Sequence, residues 1–155
     1  NRTQSVAVAG SEIKITINYE QNGHEVLANC IDNIICGGGM WWADLEQLKT
    51  EIYLTPAIEA GKITYSKARV VVSGQIRSAG FNVVVGYLEN FGNQGVFNMA
   101  SKVFTDILNR PDIKRTFTEA LNSNLGRLPV ALPNPLRSIT IDSNGDLVFN
   151  KPGTY

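Results

Sequence analysis

Behind Pro111, four large apolar side chains recur at every fourth position: Ile113, Phe117, Leu121 and Leu125, with Ala120 and Leu128 beside them. That spacing puts them on one face of a helix. Pro111 suits the first helical position, where its missing N–H is not needed, and Gly126 suits a left-handed C-terminal cap. Met99, Val103 and Ile107 show helical spacing just upstream. Burying the stripe contributes roughly 8 kcal/mol gross, at about 2 kcal/mol per large side chain and before entropy. A face this apolar has to lie on something, and the preceding sequence predicts a sheet.

In Glu12 to Tyr19, Ile13, Ile15, Ile17 and Tyr19 alternate with Glu12, Lys14, Thr16 and Asn18. Period two puts the apolar set on one face of a strand. Asn22-Gly23 offers the positive φ angles of a tight turn, so Glu25 to Ile31 is expected to return as its hairpin partner. Ala43 to Lys49 reads either as a short helix or as an entry into the next strand. Strands are expected at Glu51 to Leu54, Ile63 to Tyr65, Ala68 to Ile76 and Phe81 to Val85, where β-branched and aromatic residues are dense. Asn90 to Gly95 reads as a loop. Past Pro129, Pro133 and Pro135, Ser138 to Ile141 and Asp146 to Phe149 form a closing hairpin. The fold class is therefore α+β: an antiparallel β-meander packed against a long C-terminal amphipathic helix. Residues 1–155 form one domain, with a loose tail over 150–155.

Composition removes several functions. The 14 basic and 14 acidic side chains cancel, so no net field attracts phosphates and nucleic-acid binding is disfavoured. No apolar run reaches the eighteen or so residues of a membrane span. Charged residues are only 18% of the chain. With abundant Asn, Thr and Ser and an Asn1-Arg2-Thr3 sequon, this leans towards a secreted or periplasmic protein. Cys30 and Cys36 would lie about 20 Å apart on a straight strand; a short-loop disulfide and two buried thiols both remain open.

Familiar catalytic patterns are missing. His24, the one histidine, sits beside a turn and reads as an exposed turn residue, and no G-x-S-x-G elbow accompanies it. One histidine and two cysteines fall short of a zinc set. Gly37-Gly38-Gly39 lacks the Lys and hydroxyl of a phosphate loop. Asp142, Asn144 and Asp146 alternate as calcium ligands do, but Leu147 and Gly153 stand where such a loop needs Gly and Glu; the segment reads as turn chemistry. Asp44, Glu46 and Glu51 are carboxylates without a pairing signal. The chain is therefore expected to be no enzyme, and to need neither a cofactor nor a metal. Trp41-Trp42 reads as one core and one partly covered ring, or as an aromatic platform for lipid, sugar or protein.

The strands from Glu51 to Val85, the helix from Asp112 to Leu125, and Leu132-Pro133-Asn134-Pro135-Leu136 leading into Ile139 to Phe149 follow one another in a telling order. That order resembles the tubular lipid-binding superfamily, the relatives of bactericidal permeability-increasing protein, across about two thirds of the chain. The resemblance implies a curved sheet around a long helix with lipid held between them. The leading expectation is a binding domain for a lipid or other apolar small molecule. Trp41, Trp42, Ile113, Phe117 and Leu121 are its candidate ligand-binding residues. A protein-interaction module, such as an adhesin, an inhibitor or a subunit of a surface assembly, is the alternative. A carboxylate-dependent hydrolase is the third.

Overall fold

Most strands and the second helix follow from local pattern, but the strand pairing does not. The computed structural model describes residues 2–19, 25–29, 40–79, 83–127 and 136–150. They form β1 (Arg2–Ala9), β2 (Glu12–Tyr19), β3 (Glu25–Asn29), β4 (Met40–Glu59), β5 (Lys62–Ala79), α1 (Val83–Leu108), α2 (Pro111–Leu125), β6 (Ser138–Ile141) and β7 (Leu147–Asn150). The class is α+β, with one five-stranded sheet in the order β1-β2-β4-β3, β5 also pairing with β4, and a separate β6–β7 ribbon. The chain resolves into two compact units. The first holds residues 1–4, 16–50 and 71–101; the second holds 5–15, 51–70 and 102–155.

Turn chemistry explains two hairpins. Gly10, at φ +64°, turns β1 into β2. Ala60 and Gly61 both take positive φ (49° and 73°) between β4 and β5, which matches the right-handed twist of the flanking strands. Within β4, Gln47 also has φ 53°, a local kink of the kind a bulge makes. Pro56 does not end β4, and Ala43 to Lys49 is strand throughout.

Three expectations are corrected. The strand at Glu25 pairs with β4, not with β2: Glu25 opposes Asp44 and Asn29 opposes Met40, while β2 lies between β1 and β4. Alternation identifies a strand but carries no information on its neighbour. Second, residues 83–85 and 90–95 belong to α1, a helix of 26 residues, so a strand and a loop are both replaced. The β preference of Val83 to Val85 is a weak local term that context overrides. The single long C-terminal helix is in fact α1 followed by a shorter α2 of 15 residues. Third, Gly126 is right-handed (φ −64°, ψ −11°), its N–H bonding Asn122 O; the helix winds on rather than stopping at a left-handed cap. Pro111 does take the first turn of α2, as expected.

The β6–β7 ribbon is as expected, Ile139 opposing Phe149. Asp142 Oδ1 accepts the N–H groups of Asn144 (2.8 Å) and Asp146 (2.9 Å), and Gly145 sits at φ +86°. This is turn chemistry in full.

Polar side chains fasten the helices to the free edge of β5. In the second unit, Asn109 brackets Ala68, accepting its N–H (3.0 Å) and donating to its carbonyl (2.8 Å). Asn122 does the same for Ile63 (3.1 and 2.7 Å), and Thr105 Oγ1 accepts the Val70 N–H at 2.9 Å. Four helical residues advance about 6 Å and two strand residues about 6.6 Å, so Thr105 and Asn109 fall in step with Val70 and Ala68. In the first unit, Ser101 Oγ accepts the Val72 N–H at 2.8 Å. There Phe97 lies so close over Gly74 that a Cβ would come within 3.0 Å of its ring. An edge strand is thereby sealed without a further strand.

Candidate functional site

Six elements of the second unit turn apolar residues towards one space. β2 contributes Ile13 and Ile15, β4 Leu54 and Pro56, and β5 Ile63, Thr64 and Tyr65. Phe117, Leu121 and Leu125 descend from α2, and Ile139, Leu147 and Phe149 come from the ribbon. Between them lies a cavity of about 220 Å³. The period of two puts Ile13 and Ile15, Ile63 and Tyr65, and Leu147 and Phe149 on shared strand faces, and the period of four does the same for Phe117, Leu121 and Leu125 in α2. Most of them belong to two packed clusters, one around Leu54, Tyr65 and Ala68, the other around Ile63, Leu136 and Ile139.

The polar groups at this space are already partnered. Thr64 Oγ1 shares a 2.6 Å hydrogen bond with Thr118 Oγ1, and the Tyr65 hydroxyl donates to the Leu108 carbonyl. The Tyr65 ring meets Phe117 edge-on, with centroids 5.2 Å apart and planes at 70°, an arrangement aromatic quadrupoles favour. A space of this kind offers water little to bond.

Charges gather on other residues. Lys14 and Glu51 pair at 2.7 Å, and that hydrogen bond raises the Lys14 pKa above its ordinary value. Arg69 pairs with Glu12 (3.2 Å) and stacks 3.8 Å over the Tyr53 ring. Lys114 pairs with Glu59. At the start of α2, Arg110 holds the Asp112 carboxyl below its usual pKa. Among the described residues, no three His, Cys, Asp or Glu side chains gather as metal ligands would. No helix among them is long and apolar enough to cross a membrane.

Burial raises the Tyr65 phenol above its ordinary pKa of 10.0. The folded state therefore favours the neutral phenol. The stability this confers is complete below the unfolded value, about 10, and is lost as pH rises through the raised folded value. Thermal stability of the wild type is expected to fall more steeply than that of Tyr65→Phe on titration above about pH 10. Parallel curves would show that Tyr65 ionises as freely folded as unfolded.

Of the residues expected to bind a ligand, Phe117 and Leu121 are brought together on the cavity wall. Ile113 is half-buried on the same helix and does not line it. Trp41 and Trp42 lie in β4 opposite Ala28 and Leu27; their side chains fall outside the described residues. So do Asn22-Gly23, His24, Cys30, Cys36, Gly37 to Gly39, the prolines from 129 to 135 and the tail from 151. Glu51, weighed as a catalytic acid, is engaged by Lys14 and by the Tyr53 hydroxyl. The sequence reading missed Ile13, Ile15, Leu54, Ile139 and Phe149 as wall residues, although the alternation of Ile13 and Ile15 had marked that face.

Comparison of the chain with protein-family models, with curated proteins and with solved structures finds no match.

Proposed function

We propose that the second unit is a non-enzymatic binding domain that takes an apolar group into the cavity beneath α2. The observation that carries this reading is a space of about 220 Å³ whose wall is apolar and whose few polar groups are already bonded. Size narrows the ligand. Pockets for drug-sized molecules span about 300–1,000 Å³, whereas an apolar cavity of about 150 Å³ stays dry and admits benzene. The occupant is thus one ring or the end of an acyl chain, and not a whole lipid. Burial supplies the affinity, at about 25 cal/mol per Å² of apolar surface. The resemblance of element order to tubular lipid-binding proteins, and a secreted or periplasmic location, belong to the same proposal.

Native mass spectrometry before and after organic extraction is expected to detect a co-purifying apolar molecule, or uptake of added octanoate by the extracted protein. Leu121→Phe, which fills the space, is expected to cut that uptake at least tenfold while the circular dichroism spectrum is kept. Equal uptake by wild type and variant would remove the cavity as the site.

A second reading, a protein-interaction module, is favoured by exposed apolar residues on α1. In the second unit Val103, Phe104 and Ile107 are open to solvent, as are Val96 and Met99 in the first. If that reading holds, Phe104→Ser abolishes partner binding and leaves octanoate uptake unchanged.

A further inference from the structure

Two of the sheet's outer strands, β5 and β1, are finished differently. The free edge of β5 is sealed by Thr105, Asn109 and Asn122 in the second unit. β1 pairs with β2 on one side, and among the described residues nothing pairs with its other side. Every residue of β1 from Arg2 to Val8 is exposed, Val6 at 70%. Edge strands of natural proteins are usually blunted by lysine, proline, a bulge or a cover. Ser5-Val6-Ala7-Val8-Ala9, which lies wholly in the second unit, carries no charge and no proline.

That segment matches its own reversed copy. A two-fold axis at Ala7 sets Val6 of one chain opposite Val8 of the other, twice, and Ser5 opposite Ala9. The register is even, so facing residues share a face of the sheet. Val–Val pairs are favourable cross-strand neighbours. The strand's one charge, Arg2, falls beyond the overlap, so no like charges meet.

We propose that β1 is a self-association edge: a second copy of this chain adds its β1 antiparallel through residues 5–9, continuing the sheet across the two-fold. The contact is backbone hydrogen bonding plus two valine pairs. It is independent of the cavity reading. Because it covers less than the roughly 1,200 Å² of a standard interface, the dimer is weak and concentration-dependent.

Sedimentation velocity of the full chain from about 10 μM to about 1 mM tests it. The wild type is expected to move from monomer towards dimer. A Val6→Lys/Val8→Lys double variant sets lysine against lysine and is expected to stay monomeric over the whole range, as is Val6→Glu/Val8→Glu. An equimolar mixture of the two is expected to regain the dimer, since each lysine then faces a glutamate. Ala7→Cys gives a second readout that leaves the valines in place. Facing Cα atoms about 4.5–5.5 Å apart suit a disulfide, so mild oxidation is expected to cross-link this variant and not the wild type. A wild type that is monomeric throughout, a lysine variant that dimerises as well as wild type, a mixture that stays monomeric, or an Ala7→Cys protein that does not cross-link would each overturn the proposal.

Discussion

Replacing Phe117 by aspartate is expected to unfold the second unit. The side chain packs against the Leu54, Tyr65 and Ala68 cluster and meets the Tyr65 ring edge-on. Removing a core phenylalanine costs about 3–5 kcal/mol where burial is complete, and Phe117 is half-buried, so the ring alone accounts for part of that. The charge adds to it. The Lys114 ammonium, 5.9 Å from the Tyr65 ring centroid, is already paired with Glu59, so a carboxylate at position 117 has to compete for that cation, ionise unpaired or stay protonated against its solution pKa. Domain stabilities lie near 5–15 kcal/mol, so the sum consumes most or all of the fold. Phe117→Leu separates the terms: it keeps an apolar side chain and should cost about 1–2 kcal/mol. Chemical denaturation of the two variants decides the matter. A Phe117→Asp protein with unchanged Tm would show that the four-spaced stripe is not core.

The second large effect comes from a polar residue. Asn109→Leu is expected to cost about 2–5 kcal/mol, because it strands two backbone groups at once. Ala68 is fully buried, and Asn109 supplies partners for both its N–H and its carbonyl. Leucine is close in volume, so the loss is one of hydrogen bonding and not of space. Asn109→Asp keeps an acceptor for the Ala68 N–H but sets a carboxylate oxygen towards the Ala68 carbonyl, and is expected to destabilise more at neutral pH than at pH 3. Hydrogen exchange reads the cause directly: the Ala68 amide should lose protection in Asn109→Leu. Retained protection would mean that the strand edge is sealed by something else.

What could be read in the sequence divides along physical lines. Short-range periodicity was legible: Ile13 and Ile15 on one face of β2, the stripe of Phe117, Leu121 and Leu125, Pro111 at a helix start, and the ribbon closed by Asp142 to Asp146. Partner choice was not. The strand at Glu25 follows β2 in the chain yet pairs with the Met40–Asp44 end of β4, a long-range choice that alternation does not encode. β1 was overlooked since Arg2-Thr3-Gln4-Ser5 lacks large apolar residues; its pairing comes from the turn at Gly10 and from the backbone. Val83 to Val85 has the composition of a strand and lies in a helix. The fastening of β5 by Thr105 and Asn109 left a trace, two small polar residues four apart, but such a pair is meaningless until a strand edge is known to lie beside it. Of the candidate site, the α2 wall was visible and the sheet wall was not, since which strands converge on a helix is decided by long-range pairing.

On the proposed function, the apolar space beneath α2 receives an apolar group. A methyl- and aromatic-resolved NMR titration of the extracted protein with octanoate tests it most directly. Saturable shifts are expected at Leu54, Ile63, Tyr65, Phe117, Leu121 and Ile139, with intermolecular contacts from the terminal methyl of the acyl chain to Phe117 and Phe149. Shifts confined to the exposed residues of α1, or none that saturate, would contradict it.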